Sequence, residues 1–197
     1  ARDTSRKIQS IFRARMEEGK RVSPSVPYGY YRNPKNKQEL LVDKESAKVV
    51  KRIYRLVIEG YGVTQIADIL TKDKVLIPSA YAEIHYPESN HSSKKRGIED
   101  PYFWTPTTVS YILEKQEYMG HTVLGKTICL DYKTKKRRKA KEDELIIFKN
   151  THEAIIDEET WNNAQRLRKT VRRSPKYGTT SNPLTGLLIC ADCGGKL

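Results

Sequence analysis

Apolar residues fall into short series at helical spacing, separated by stretches rich in Pro, Gly and Lys. Residues 2 to 18 predict a helix with Ile8, Ile11, Phe12 and Met16 on one stripe and Arg2, Arg6, Lys7, Arg13 and Arg15 around it; Gly19 is its expected stop. The strongest series is Val49, Val50, Ile53, Tyr54, Val57 and Ile58, capped by Asp43 and closed by Gly60 and Gly62. A further helix is expected from Thr64, with Ile66, Ala67, Ile69 and Leu70 facing inward, and Pro78 marks the end of that unit. Thr105 caps another helix, with Pro106 at its first position and Val109, Ile112 and Leu113 on one face. Trp104, just before the cap, can staple onto Val109. Asp157 caps the last helix, with Ile156 and Trp161 as the staple and Ala164 and Leu167 on the buried face.

The intervening segments read differently. In residues 20 to 32, Pro24, Pro27 and Gly29 forbid a helix, and the segment is expected to be an extended basic arm, laid along a DNA groove or serving as a plain linker. Residues 34 to 37 form a turn and 39 to 42 a short strand. Residues 79 to 101 read as a long surface loop carrying His85 and His91, with no second ligand cluster nearby to make a metal site. Residues 121 to 130 and 145 to 148 have β character. Between them lies the densest charge run, in which seven of the nine residues from Lys133 to Lys141 are Lys or Arg. It is either a solvated loop or a hairpin tip that lies against phosphates.

Charge narrows the partners. The 197 residues carry a formal net charge of +13, which no fold requires and which predicts a polyanion, usually nucleic acid. Apolar residues make up 37% of the chain, enough for a lean core, and Tyr supplies 12 of the 17 aromatic residues. No apolar run approaches the roughly 20 residues that span a bilayer, and no signal-peptide pattern opens the chain. Ala1 falls inside a charged helical pattern, so the chain is expected to be a segment of a longer protein. The odd count of three cysteines argues against a disulfide framework and for a reducing compartment.

The helix after Thr105 presents Thr107, Thr108, Ser110, Tyr111 and Lys115 opposite its apolar side, groups able to donate to base edges or phosphates. The same pattern suits an ordinary amphipathic helix. Cys190-Ala-Asp-Cys193-Gly-Gly has the spacing of a zinc knuckle, which brings two thiolates to one metal at about 2.3 Å. A redox pair is the rival, but no βαβ pattern surrounds it. Two ligands make half a site, and Cys129 lacks paired spacing, so a second pair is expected beyond Leu197. No phosphate loop, H-E-x-x-H or G-x-S-x-G occurs, and His152 has no evident acid–base partner.

Several motifs, in order, resemble the DNA-binding half of large serine recombinases, the phage integrases and transposon resolvases. They are Pro27-Tyr-Gly-Tyr30; Val63 to Leu70 with Val75 to Pro78; Trp104 with Thr107 to Val109, Ile112-Leu113 and Tyr118-Met-Gly120; Thr151 to Asp157 with Trp161; and Leu184 to Cys193. Lys72-Asp73 and Lys115 depart from the Asn-containing pattern, and the loop from 79 to 101 is long. The two helices separated by residues 59–63 resemble the first half of a helix-turn-helix or winged-helix unit. The fold expected is mixed α/β (α+β), a winged-helix-like recombinase domain followed by the first part of a zinc ribbon domain. Residues 1–19 would end a long linking helix, 20–34 form the arm, 35–128 the recombinase domain and 129–197 the start of the zinc ribbon.

The resemblance implies sequence-specific binding of attachment or element-end sites in double-stranded DNA, in the bacterial cytoplasm, by a protein that dimerises on DNA and synapses as a tetramer. Strand exchange through a phosphoserine would belong to a catalytic domain N-terminal to these residues, none of which is catalytic. The expected DNA contacts are Arg21, Tyr28, Tyr30 and Arg32 from the arm, then Thr107, Thr108, Ser110, Tyr111 and Lys115, and Lys136, Arg137 and Arg138 from the basic run. Cys190 and Cys193 would be zinc ligands. A helix-turn-helix transcription regulator with a zinc module and a basic RNA-binding protein are the competing readings.

Overall fold

The computed structural model describes residues 2–23, 25–87, 99–129, 134, 136–170 and 190–191. In order they form helix α1 (Arg2–Glu17), strands β1 (Tyr30–Arg32) and β2 (Leu40–Val42), and helices α2 (Lys44–Ile58), α3 (Val63–Lys72), α4 (Pro78–His85) and α5 (Pro106–Leu113). A 3-10 turn (Gln116–Met119) leads to β3 (Thr122–Leu124), β4 (Thr127–Cys129), β5 (Arg137–Lys139), β6 (Ile146–Phe148) and α6 (Glu158–Thr170). The protein is thus mixed α/β, with small antiparallel sheets beside a helical core.

Helix α2 is the hub. Asp43 caps it, Oδ1 taking the Glu45 amide at 3.2 Å, while Oδ2 accepts the Ser46 and Tyr86 hydroxyls at 2.8 and 2.9 Å. That carboxylate therefore ties the start of α2 to the end of α4. Val50, Ile53 and Tyr54 are fully buried, and α3, α5 and α6 pack around α2. Each such side chain contributes roughly 1.5–3 kcal/mol through burial. Trp104 is buried as expected of a staple. Its Nε1 donates to the Val75 carbonyl at 2.8 Å and its amide to Thr71 Oγ1 at 3.0 Å, which pins α5 to the end of α3.

The strands pair locally. β1 and β2 align Tyr30 with Val42 and Arg32 with Leu40. β3 pairs with β6, and β4 with β5, so one antiparallel ribbon runs out and back. It is offset at Gly125, in the left-handed region at φ +74°, opposite the 3-10 turn Glu142–Glu144.

Several expectations are corrected. The cap of α3 is Gly62 rather than Thr64, with Gln65 Oε1 taking the Gly62 amide at 2.9 Å; the extended backbone at Gly62 starts the helix earlier. Pro78 opens α4 instead of closing a unit, because a proline at the first helical position loses no hydrogen bond. His85 thus lies on a helix, stacked on Tyr81 at 4.1 Å, while His91 lies outside the described residues. The arm is not free along its length. Gly29, at φ +98°, passes so close to α2 that a Cβ there would lie 2.8 Å from Ile155 Cδ1 and 3.3 Å from Val50 Cγ2. Tyr30 is 4% exposed, and its hydroxyl donates to the Glu153 and Glu117 carbonyls at 2.9 and 3.3 Å. Tyr30 is therefore built into the core, with little surface left to offer a partner. The boundary expected at 128/129 falls inside β4, and Ile155, Ile156 and Ala164 complete the same core.

Replacing Gly29 with Ala should destabilise the fold by roughly 2 kcal/mol or more, since both the φ and the space oppose a Cβ. The urea unfolding midpoint measures it; a midpoint equal to that of the unaltered protein would show that the arm is not locked into the core.

Candidate nucleic-acid interface

A groove of about 900 Å³ lies between residues 25–34, α4 with Tyr86 and Pro87, and the α5 side chains Thr108, Tyr111 and Ile112, with Lys115 just beyond. Tyrosines form much of its wall. Tyr28 stands edge-on to Tyr81 and Trp104, with centroids at 5.6 and 6.2 Å, and Tyr31 stacks on Tyr86 at 5.9 Å. Arg32, Lys37 and Lys115 bring positive charge to it, and no Asp or Glu lines it among the described residues. A tyrosine-walled, carboxylate-free cationic groove suits an anionic partner with flat or sugar-like surfaces.

Helix α5 stands at the groove's edge. Thr105 Oγ1 accepts the Thr108 amide at 3.2 Å, so the predicted cap is present. Thr107 and Tyr111 face solvent, Tyr111 with 57% of its surface exposed. Thr108 is engaged with the cap, its hydroxyl 2.9 Å from that of Thr105. Ser110 is held from behind by Arg168 Nη2 at 2.9 Å, and Gln165 Nε2 donates to the Leu113 carbonyl at 2.6 Å. Helix α6 thereby fixes the orientation of α5, leaving Thr107 and Tyr111 outermost.

The basic ribbon is split in its roles. Lys136 and Arg137 are exposed. Arg138 forks onto Glu144, with nitrogen–oxygen distances of 2.5 and 2.6 Å, and this contact holds the Glu144 carboxyl down at about 2. Arg138 is therefore committed to bracing the ribbon. Cys190 is half-buried, and Cys193 lies outside the described residues. No group of three or more His, Cys, Asp or Glu able to hold a metal occurs among the described residues.

Beside the groove sits a crowded charged patch. Glu117 is 5% exposed and pairs through Oε1 with Lys126. Burial lowers the pKa values of Arg21 and Lys115, partly countered by Glu117. His152 lies edge-on to Tyr30 at 4.9 Å, its Nε2 2.9 Å from the Glu117 carbonyl and its Nδ1 3.0 Å from Thr151 Oγ1. Donation from Nε2 to that carbonyl sets which ring nitrogen carries the proton in the neutral imidazole, and burial, which favours that neutral form, lowers the pKa further than the carbonyl raises it.

Of the expected contact residues, Tyr28, Tyr30, Arg32, Thr108, Tyr111 and Lys115 line the groove, while Arg138 is paired with Glu144. The structure also adds residues the sequence reading missed. Tyr81, His85 and Tyr86 were concealed by reading residues 79–101 as a loop; Pro78 at a helical first position was the available signal. Lys37, which lines the groove, and Lys126 and Glu117, which pair with each other, carried no pattern, because only the fold brings them to these places.

A mixed α/β unit that presents a short helix beside one cationic groove is the class these features define. The model of the Recombinase family matches residues 44–171, and the chain belongs to that family. The fold is shared with the crystal structure of a large serine recombinase–DNA complex, at 19% identity and a TM-score of 0.53, covering 97% of this chain and 48% of that one. It is also shared with a structure concerning the sequence requirements of the Listeria innocua prophage attP site, at 21% identity and a TM-score of 0.52, covering 100% of this chain and 64% of that one. The chain therefore spans less than two thirds of either. No described helix is long and apolar enough to cross a membrane.

His152 yields a pH prediction. Its folded pKa lies below the unfolded value of about 6.5, so its contribution is fully present above that pH. As pH falls toward the folded value the unfolded chain takes the proton first, and stability drops by at most about 1.4 kcal/mol per pH unit. Urea midpoints at pH 7.5 and 5.5 should differ more for the unaltered protein than for His152→Asn; equal differences would count against the assignment.

Proposed function

We propose that this chain is the duplex DNA-binding part of a large serine recombinase and that it reads attachment or element-end sites during integration or excision of a mobile element. The observation that carries this is the cationic, carboxylate-free groove at the edge of α5 in a chain of the Recombinase family. The complex with DNA formed by a protein of the same fold supports it. Helix α5 has eight residues and is therefore ~12 Å long, about the width of the DNA major groove. Thr107 can meet a base edge through its hydroxyl or a thymine through its methyl, and Tyr111 adds a hydroxyl on an extended ring. Tyr28, Arg32, Lys37 and Lys115 then face the flanking sugar–phosphate chain, and Lys136 and Arg137 a second stretch of backbone.

Strand exchange through a 5′-phosphoserine belongs to the intact recombinase and not to these residues. Dimerisation on DNA, a synaptic tetramer and a cytoplasmic setting belong to the same reading. So does zinc, with Cys190 and Cys193 as two of four thiolates; the metal would hold a fold together and take no part in chemistry. The transcription-regulator and RNA-binding readings predict, respectively, no serine-nucleophile domain in the encoding gene and a preference for structured RNA in matched salt.

The direct test compares binding to the element's end sequence and to scrambled duplex across a salt series. The specific site should win by ~10³ or more at physiological salt. Equal affinities with a steep salt slope would reduce the interaction to the net charge. Tyr111→Ala should lose roughly 1–3 kcal/mol on the specific site alone, whereas Arg137→Ala should weaken both duplexes alike and reduce the salt slope by about 1.

A further inference from the structure

Arg32 and Lys115 line the groove, and Arg21 lies beside it, near enough to act on both. Arg21 follows α1 by four residues, Arg32 ends β1, and Lys115 follows α5. The Arg21 Nε and Nη1 atoms are buried without a hydrogen-bond partner, as is Arg32 Nε. Arg32 is steered by its Nη2, which donates to the Ser23 carbonyl at 2.6 Å. Glu117, the carboxylate that acts on Arg21 and Lys115 among the described residues, already pairs with Lys126, and its Oε2 makes no hydrogen bond. The charges are close enough to oppose one another: Arg32 acts on Arg21, and Arg21 and Lys126 act on Lys115. Buried cations are normally paired, and a guanidinium with unspent N–H groups matches the oxygens of a phosphate.

We infer that Arg21, Arg32 and Lys115 form a single phosphate-binding clamp, filled in the DNA complex by one backbone phosphate beside α5. This rests on the proposed function for the identity of the ligand, while the clamp itself rests on the unpaired buried nitrogens. A bound phosphate supplies the acceptors that Arg21 and Arg32 lack once their guanidinium groups, whose unpaired nitrogens are closed to solvent in the free protein, turn toward it. It also joins the residues that follow α1 to the end of α5, so that binding DNA stiffens the joint from which α1 departs. Glu117 and Lys126 hold the patch together without the ligand.

Two measurements test the clamp. In the first, the Arg Nε–H resonances are followed as inorganic phosphate replaces chloride at constant ionic strength. The Arg21 and Arg32 signals should shift together and saturate, and Lys115→Met should weaken the apparent affinity at least fivefold. Absence of a saturable shift, or a shift indifferent to Lys115→Met, overturns the proposal. In the second, single phosphates of the end-sequence duplex are replaced by neutral methylphosphonates. One position should weaken binding of the unaltered protein about tenfold and leave Arg21→Met unaffected. If every position weakens both proteins equally, the clamp is absent. Arg21→Met should also unfold at the same urea concentration as the unaltered protein or higher, because it removes a half-buried charge that Glu117 compensates only in part; a marked loss of stability would make Arg21 a structural residue and overturn its place in the clamp. The phosphate titration uses no DNA, so it decides the clamp even where the duplex series shows no preference for the end sequence, a result that would defeat the proposed function alone.

Discussion

The close approach at Gly29 is the constraint on which the rest of the groove depends. A backbone at φ +98° with no Cβ lets the segment lie directly against Val50 of α2 and Ile155 ahead of α6. Once the chain is seated there, Tyr30 falls into the core with its hydroxyl on two carbonyls, and β1 continues outward to Arg32. The Gly29 carbonyl accepts the Asp43 amide at 2.9 Å, so the segment is also tied to the cap of α2. One glycine thus aligns the arm, the hub helix and the segment leading into α6. A segment that looked like a tether becomes a wall of the groove.

Around that wall the structure separates two kinds of charge. Exposed pairs such as Arg13–Glu17 and Arg55–Glu59 are solvated and contribute little. Cations at the groove are partly stripped of water and under-compensated, a costly arrangement for a free protein and a useful one for binding a polyanion. The net charge of +13 expresses only the total. The fold decides that Arg138 is spent on Glu144 and Arg168 on Ser110, while Arg32, Lys37 and Lys115 face the groove.

The short helix at the groove's edge shows how packing prepares a contact surface. An eight-residue helix has little stability of its own. Here the Thr105 cap, the buried Trp104 and the α6 side chains Gln165 and Arg168 hold it at both ends. Its outward face, with Thr107 and Tyr111 exposed, needs no part in folding.

Local chemistry in the sequence determined most of the helices. Asp43, Thr105 and Asp157 are caps because their side chains reach amides two or three residues on, and the apolar series after each can bury only as helices. The basic character and the order of motifs that mark a recombinase were equally legible. Tertiary structure alone decided the rest. Tyr30 and Tyr28 look alike in sequence, yet one enters the core and the other the groove wall, because their places follow from Gly29 meeting residues 21 and 126 positions away. Helix α4, the ribbon register and the meeting of Arg21, Arg32, Lys115 and Glu117 likewise depend on contacts between distant segments. A sequence states the charge each residue carries; only the packed chain fixes which charges lose their water and which of those find a partner.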